Sequence, residues 1–399
     1  MIRKIVLLFI AMTLVLPIAG CWDRRELNEL AISVALGIDK FGSQYQAVVQ
    51  VVQPGEVASQ KGGVKAMTPV TVFKAEGATI FEAIRKMTTV SSRKIYAAHL
   101  RIIVIGEELA REGIGDALDI LSRDYEVRAD SFLLISKGTT ASHILEILTP
   151  LEKIPANKIF ESIQTSEKVW APVNSVTLDN FINDIVSKGK NPVISGIKIS
   201  GYNERARSAE NLKTTRPAVS IQNNGLAVFR GDQLIGWLNQ EDSKGYNYIT
   251  NNIVSTVGHV DCPDGGKIAF EVIRSEARIK SSVQSGKPHL AVELRVEENV
   301  GEVKCHIDLT EPQTIQQLER QSEQVLHGIL QHVVETSQQK YKSDFIGFGN
   351  ALHRNNPDEW RTLKKDWEEI FQDADVDVKV KVKIKRTGTV TNSFMEERD

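Results

Sequence analysis

The chain has 399 residues, 41% of them hydrophobic and 25% charged, and its 49 Lys and Arg against 51 Asp and Glu give a formal charge of −2 at pH 7. That balance fits a globular protein, excludes a disordered polyelectrolyte and gives no general reason to expect nucleic acid as a partner. At roughly 100 to 200 residues per domain there is room for two or three domains.

Residues 1–20 read as a signal peptide. Arg3 and Lys4 make a basic start, and Ile5 to Ala19 is an uncharged run of 15 residues containing Pro17. A spanning helix needs about 20 apolar residues, and proline disfavours a continuous helix. The run ends in Ile18-Ala19-Gly20-Cys21, which resembles a bacterial lipobox. The resemblance implies cleavage between Gly20 and Cys21, a diacylglycerol on the Cys21 sulfur and an acyl group, typically palmitate, on the new amino terminus. One acyl chain binds a bilayer marginally, whereas two hold stably. No later segment approaches 18 uncharged apolar residues, so the expected mature protein is a soluble body tethered to the outer face of a membrane.

The expected fold is α+β, with three consecutive mixed domains at residues 21–150, 151–250 and 251–399. In the first, AISVALGID and YQAVVQVVQ are strands joined by a hairpin turn, residues 54–68 are a loop, and PVTVFKAEG is a third strand. Ile80, Phe81, Ile84 and Met87 have helical spacing; RIIVIG is a central strand, GIGDALDILSRD a helix and ADSFLLISKG another strand. Pro150 and Pro155 mark the boundary. The middle domain carries helices at 158–169 and 178–187, the second capped by Thr177, and strands PVISGIKIS and GLAVFRGDQLIGWLN on either side of a polar loop.

The last domain begins with a hairpin, Lys267–Val283 and Pro288–Lys304, turning at Ser285-Gly286-Lys287. A long helix from Pro312 to Tyr341 follows, with Ile315, Leu318, Val325, Leu326, Ile329, Val333 and Val334 on one face. Two shorter helices, DFIGFGNALHR and PDEWRTLKKDWEEIF, precede VDVKVKVKIKRTGTV, which alternates strictly from Val376 to Ile384. The expectation is an antiparallel sheet covered by one long helix and two shorter ones.

Of the three cysteines, Cys21 belongs to the lipobox. Extending the hairpin register puts Cys305 opposite residue 266, and Cys262 about 13 Å out of step along a strand. A bridge needs Cα atoms within about 7 Å, so two free thiols are expected. His259, Cys262, Cys305 and His306 include metal-ligating types, but adjacent strand residues point to opposite faces, so no metal is expected. Arg230-Gly231-Asp232 sits between two strands and reads as a tight turn. The lysines at 379, 381, 383 and 385 read as a solvated face or a guarded edge, although such a ladder also suits anionic headgroups. The carboxylates of RDYEVRAD (123–130) stand beside no nucleophile, and no catalytic motif is present; no catalytic residue and no cofactor are expected.

Cys21, Trp22, Asp23 and Glu26, followed by the strand ending Gly37-Ile38-Asp39, resemble the start of the C subunits of nutrient germinant receptors in endospore-forming bacteria, the Ger(x)C lipoproteins. SSRKIYAAHLRIIVIGEELAREGI, LDILSRDYEVRAD and GLAVFRGDQLIGWLN match that family in kind and order. The resemblance implies a non-catalytic lipoprotein of three α+β domains on the outer face of the spore inner membrane. Its partners would be polytopic A and B subunits, together with other germination lipoproteins, in the response to nutrients. The alternative is a solute-binding lipoprotein that delivers ligand to a transporter. From Cys21 to Leu27 there are about six residues, at most some 20 Å of chain, so the first domain lies close to the bilayer. Trp22 suits the interface there, and Arg24 and Arg25 suit anionic headgroups.

Overall fold

The first lobe grows outward from a strand buried on both faces. The computed structural model describes residues 1–5, 26–58, 68–201, 209–212, 215–262 and 265–388. β1 (Leu30–Phe41) turns at Gly42, which takes φ 58°, and pairs antiparallel with β2 (Gln44–Val52). A short helix, α1 (Pro54–Ala58), occupies the start of the expected loop, the rest of which lies outside the described residues. β3 (Val70–Gly77) adds to β2. In α2 (Ile80–Lys86) the Thr79 hydroxyl accepts from the Glu82 N–H while Glu82 accepts from the Ala78 N–H, so the first turn is capped at both levels. β4 (Lys94–Tyr96) and β5 (Ile102–Gly106) both run parallel to β1.

Helices α3 (Glu107–Glu112) and α4 (Gly115–Arg123) lead to β6 (Phe132–Ser136), parallel to β5. Every residue of β5 and β6 is buried, because helices cover both faces of a parallel sheet. Ile80, Leu109, Leu118 and Phe181 pack on one face. Ile144, Leu145, Ile159 and Ile163 pack on the other, from α5 (Ala141–Leu145) and α6 (Pro155–Val169). At α7 (Leu178–Val186) Thr177 does occupy the cap position, but its hydroxyl donates to Asp179 instead of accepting a backbone N–H.

β7 (Val193–Ser200) pairs parallel with β6, and β8 (Ser220–Arg230) and β9 (Gln233–Leu238) extend it antiparallel. One sheet, in the order β3-β2-β1-β5-β6-β7-β8-β9 with β4 beside β1, therefore runs across residue 150, and the expected first and middle domains share it. The polar loop between β7 and β8 is described at 201, 209–212 and 215–219, and within it buried Asn211 hydrogen-bonds the carbonyls of Leu148 and Val219.

The second lobe opens with α8 (Gln240–Ile249) and β10 (Thr256–Asp261), then the long hairpin of β11 (Lys267–Gln284) and β12 (Lys287–Val303). Gln284 pairs with Lys287 across Ser285 and Gly286, at φ 51° and 77°. Two positive-φ residues are what a two-residue hairpin turn of matching twist requires. α9 (Pro312–Glu335) continues through one wider turn, Thr336–Lys340, and is followed by α10 (Phe348–Asn355). The last expected helix is two, α11 (Pro357–Leu363) and α12 (Trp367–Gln372), and β13 (Asp375–Arg386) closes the lobe.

The sheet order is β10-β11-β12-β13. Its first three strands are antiparallel, as expected, but β13 joins β12 in parallel. The reason is the connection: four helices between β12 and β13 carry the chain back to the starting end, as a parallel pair demands. Leu326, Leu330, Val333 and Val334 of α9 pack on Leu290, Val292 and Leu294.

The expectation of two free thiols is wrong. Cys262 and Cys305 form a disulfide with Cα atoms 6.3 Å apart. Cys305 does lie opposite residue 266, but Cys262 does not continue β11 outward. It ends β10, which folds back on β11 with Asp261 opposite Lys267, and the Cys262 N–H bonds the Gly266 carbonyl at 3.1 Å. A corner of the chain, invisible to a straight extrapolation, removes the 13 Å offset.

Candidate anchoring and assembly surfaces

Gly20, Cys21, Trp22 and Asp23 lie outside the described residues, and Glu26 is exposed at the point where they meet the body. A 3-10 turn at Leu27–Glu29 leads directly into β1, so the chain enters the lobe at the N-terminal end of the strand beside β4. There the Lys94 ammonium meets the buried Glu126 carboxylate at 2.5 Å. Around that pair lies a small cavity of about 70 Å³, lined by Ser33, Phe81, Ile84, Ile95 and Tyr125. Tyr125 is 80% exposed and Val90 60%. The RDYEVRAD carboxylates serve this end of the lobe: Asp124 accepts from the Glu126 N–H and Asp130 pairs with Arg128.

The motif Gly37-Ile38-Asp39 has a packing explanation. Asp39 is buried, and its two oxygens accept from the N–H groups of Ala141 and Ser142 at 2.7 and 2.9 Å, holding the start of α5. Burial pushes its carboxyl above the usual range. A side chain at Gly37 would come within 3.0 Å of the Ala141 Cβ, so the glycine lets the same helix approach.

Arg230-Gly231-Asp232 forms a tight turn between β8 and β9, and all three residues are used internally. The Arg230 guanidinium donates to the carbonyls of Tyr341 and Lys342 at 2.6 and 3.3 Å. Gly231, at φ 58°, donates its N–H to Asn191 Oδ1. Asp232 Oδ2 accepts from the Gly115 N–H at 2.9 Å. The turn thus ties α4, the loop before β7 and the second lobe together.

Asp344 completes that junction. It is fully buried and accepts from the N–H groups of Gly347, Phe348 and Gly349 and from the Trp367 indole at 2.7 to 3.1 Å. Its own carbonyl accepts from Asn191 N–H, while Asn191 Nδ2 donates to Glu368 at 2.6 Å. The Tyr341 hydroxyl donates to the Trp237 carbonyl and accepts its N–H. A charge buried this deeply is tolerable because each oxygen is met by two donors.

No group of three metal-ligating side chains forms among the described residues, and Cys262 and Cys305 are spent on each other. His327 lies beside the groove between α9 and β13, whereas His332 faces Asp242 at 3.4 Å on α8. The lysine ladder lies on β13, the edge of its sheet. Lys379, Lys381, Lys383 and Lys385 pair with Asp377, Glu323, Glu319 and Glu297 respectively. Glu323 and Glu319 also accept the outward N–H groups of Val382 and Ile384 at 3.1 Å, so part of the edge is already occupied.

Sequence comparison decides the family. Residues 23–199 match the spore germination protein N-terminal domain, and residues 224–388 match the spore germination B3/GerAC-like C-terminal domain. Spore germination protein KC of Bacillus subtilis (strain 168) is 34% identical over 380 residues, covering 93% of this chain and 92% of the relative. The chain belongs to the spore germination GerAC family. A putative spore germination protein of the same organism, YfkR, is 30% identical over 90% of each chain, and spore germination protein B3 is 25% identical over 94% of this chain and 96% of its own. The crystal structure of the GerBC protein shares the fold, with a TM-score of 0.56 at 20% identity, covering 88% of this chain and 96% of that one. In GerAC-family terms, the N-terminal match begins at Asp23, two residues beyond Cys21, and the gap between the two matches, residues 200–223, runs from the end of β7 into the first residues of β8.

Proposed function

We propose that this chain is the lipid-anchored, non-catalytic C subunit of a nutrient germinant receptor, held on the outer face of the spore inner membrane beside polytopic A and B subunits. The observation that carries the reading is the match to spore germination protein KC over more than nine-tenths of both chains. The lipobox at Gly20-Cys21 supports the anchor. The Cys262–Cys305 disulfide supports a place outside the reducing cytoplasm. No helix among the described residues is long and apolar enough to cross a membrane, which accords with attachment through lipid.

On this reading the nine residues from Cys21 to Leu30 span at most about 30 Å. They press the β1–β4 end of the first lobe toward the bilayer, with Trp22 at the interface, Arg24 and Arg25 near anionic headgroups, and Asp23 and Glu26 facing membrane-embedded partners. A solute-binding lipoprotein is supported less well, because it calls for two similar parallel lobes, whereas the second lobe is built on three antiparallel strands.

A Cys21→Ala strain tests the anchor and the assembly together. The expected result is loss of nutrient-triggered germination and of co-purification with the polytopic subunits. Mass spectrometry of the mature amino terminus should show diacylglycerol on sulfur; an unmodified thiol on a freely diffusing protein that still supports germination ends the reading. A flexible insert of about 20 residues after Asp23 should impair germination while lipidation persists. Normal germination by that variant discards the short-tether role.

A further inference from the structure

The second lobe holds a cleft of about 380 Å³ between β10, α8 and α9, within the size range of small-molecule sites. Its floor is unusual. Along β12, Leu290, Val292, Leu294, Val296 and Val300 face the core, and the same face carries Glu298. Glu298 is 2% exposed, and its Oε1 is buried with no hydrogen-bond partner. A bare carboxylate oxygen in an apolar wall is costly, and native proteins retain few of them without a use. Burial, with the Glu319 carboxylate adding to it, raises this carboxyl to about 7 against a single hydrogen bond from Ser322.

The opposite wall carries a half-buried cation. The Lys244 ammonium lies 3.4 Å above the centroid of the Trp170 ring and donates to the Val257 carbonyl at 3.3 Å. Burial lowers it to about 8 against the opposing pull of the Glu241 carboxylate, which lines the same cleft and forms no ion pair with it within 4 Å among the described residues. The lining is mixed: Val257, Val272, Leu326 and Ile329 supply an apolar stretch, Tyr248, Thr256 and His259 add polar groups, and Val325 and Val257 are 43% and 44% exposed. Thr256, Val272 and Glu298 are neighbours across three strands, and Lys244 reaches the residue next to Thr256. With strands about 4.8 Å apart, the backbones of Thr256 and Glu298 stand on the order of 10 Å from each other, so a ligand touching both charges is only a few bonds long.

We propose that this cleft binds a short linear zwitterion, its ammonium end received by Glu298, its anionic end by Lys244, and its apolar middle by Val272, Leu326 and Ile329. Such a ligand supplies the donor that Glu298 Oε1 lacks and an anion for Lys244 at once, which a singly charged molecule does not.

Calorimetry of the full-length chain in detergent tests it, with 5-aminopentanoate as probe and pentylamine and pentanoate as single-charge controls. The expected result is saturable binding of 5-aminopentanoate, about tenfold or more tighter than either control, because each end adds a charge-assisted hydrogen bond. Glu298→Gln and Lys244→Met each bring it down to the level of the controls. Val325→Trp, which blocks the mouth without touching a charge, abolishes binding. A site built for ligand leaves Glu298→Gln at least as stable as the native chain, whereas a purely structural glutamate is harmed by the change. No saturable binding of 5-aminopentanoate, or equal affinity in the native chain and both charge variants, overturns the proposal.

Discussion

Asp344 and Glu298 are carboxylates buried to almost the same depth, 0% and 2% exposed, in two parts of one lobe. At the junction with the first lobe, Asp344 meets four donors. In the cleft, Glu298 keeps one oxygen with none. The difference separates two uses of a buried charge. The first locks elements that would otherwise expose orphan N–H groups; the second stores an unmet interaction that a visitor can complete.

The sharpest way to break the comparison is at the satisfied group. Asp344→Ala leaves four buried donors unmet and should cost about 4 kcal/mol, splitting the denaturant melt into separate transitions for the two lobes. A single transition with unchanged midpoint would show that the junction does not couple them. Next, breaking the disulfide with Cys262→Ser and Cys305→Ser frees a loop spanning 43 residues and should cost about 3 kcal/mol, read as a lower melting temperature that reductant no longer shifts.

Glu298→Gln should move stability the other way, and by an amount set by pH. The carboxyl is raised from 4.5 to about 7 in the fold. A raised acid contributes fully below its unfolded pKa, and that contribution is lost as pH rises through the folded one. The native chain should therefore lose on the order of 2 to 3 kcal/mol at this residue between pH 5 and pH 8, a loss that the amide escapes. Denaturant melts of both proteins at the two pH values check it; a variant no more stable than the native chain at pH 8 would place Glu298 with Asp344. The smallest effect is expected from Arg230→Ala, about 1 kcal/mol, from the two carbonyls it leaves to solvent. Differential scanning calorimetry should detect it as a small shift of the whole transition.

Much of this could be read from residue order, because the signals were local. Strict alternation from Val376 to Ile384 marked β13 as a strand, and Gly231-Asp232 marked a turn. Glu298 was also visible in principle, as the glutamate that interrupts a run of apolar residues at every second position of β12. Asp344 was not, since its four donors come from two helices whose approach depends on packing alone. The nonlocal pairings were hidden for the same reason: the β6–β7 contact that fuses two expected domains, the parallel seating of β13, and the corner that brings Cys262 to Cys305. Lys244 lies in α8 and Trp170 caps the end of α6, and only their stacking marks them.

The seam between β7 and β8 matters to anyone who would divide the molecule. The family halves meet there, yet from Val193 to Val228 the two strands zip together antiparallel, and Arg230 just beyond reaches the far lobe. A fragment beginning near residue 224 would start with a naked strand searching for its neighbour, and would tend to pair with another copy of itself. The two family matches therefore offer no clean cut between them, and the working unit for reconstitution is both lobes together.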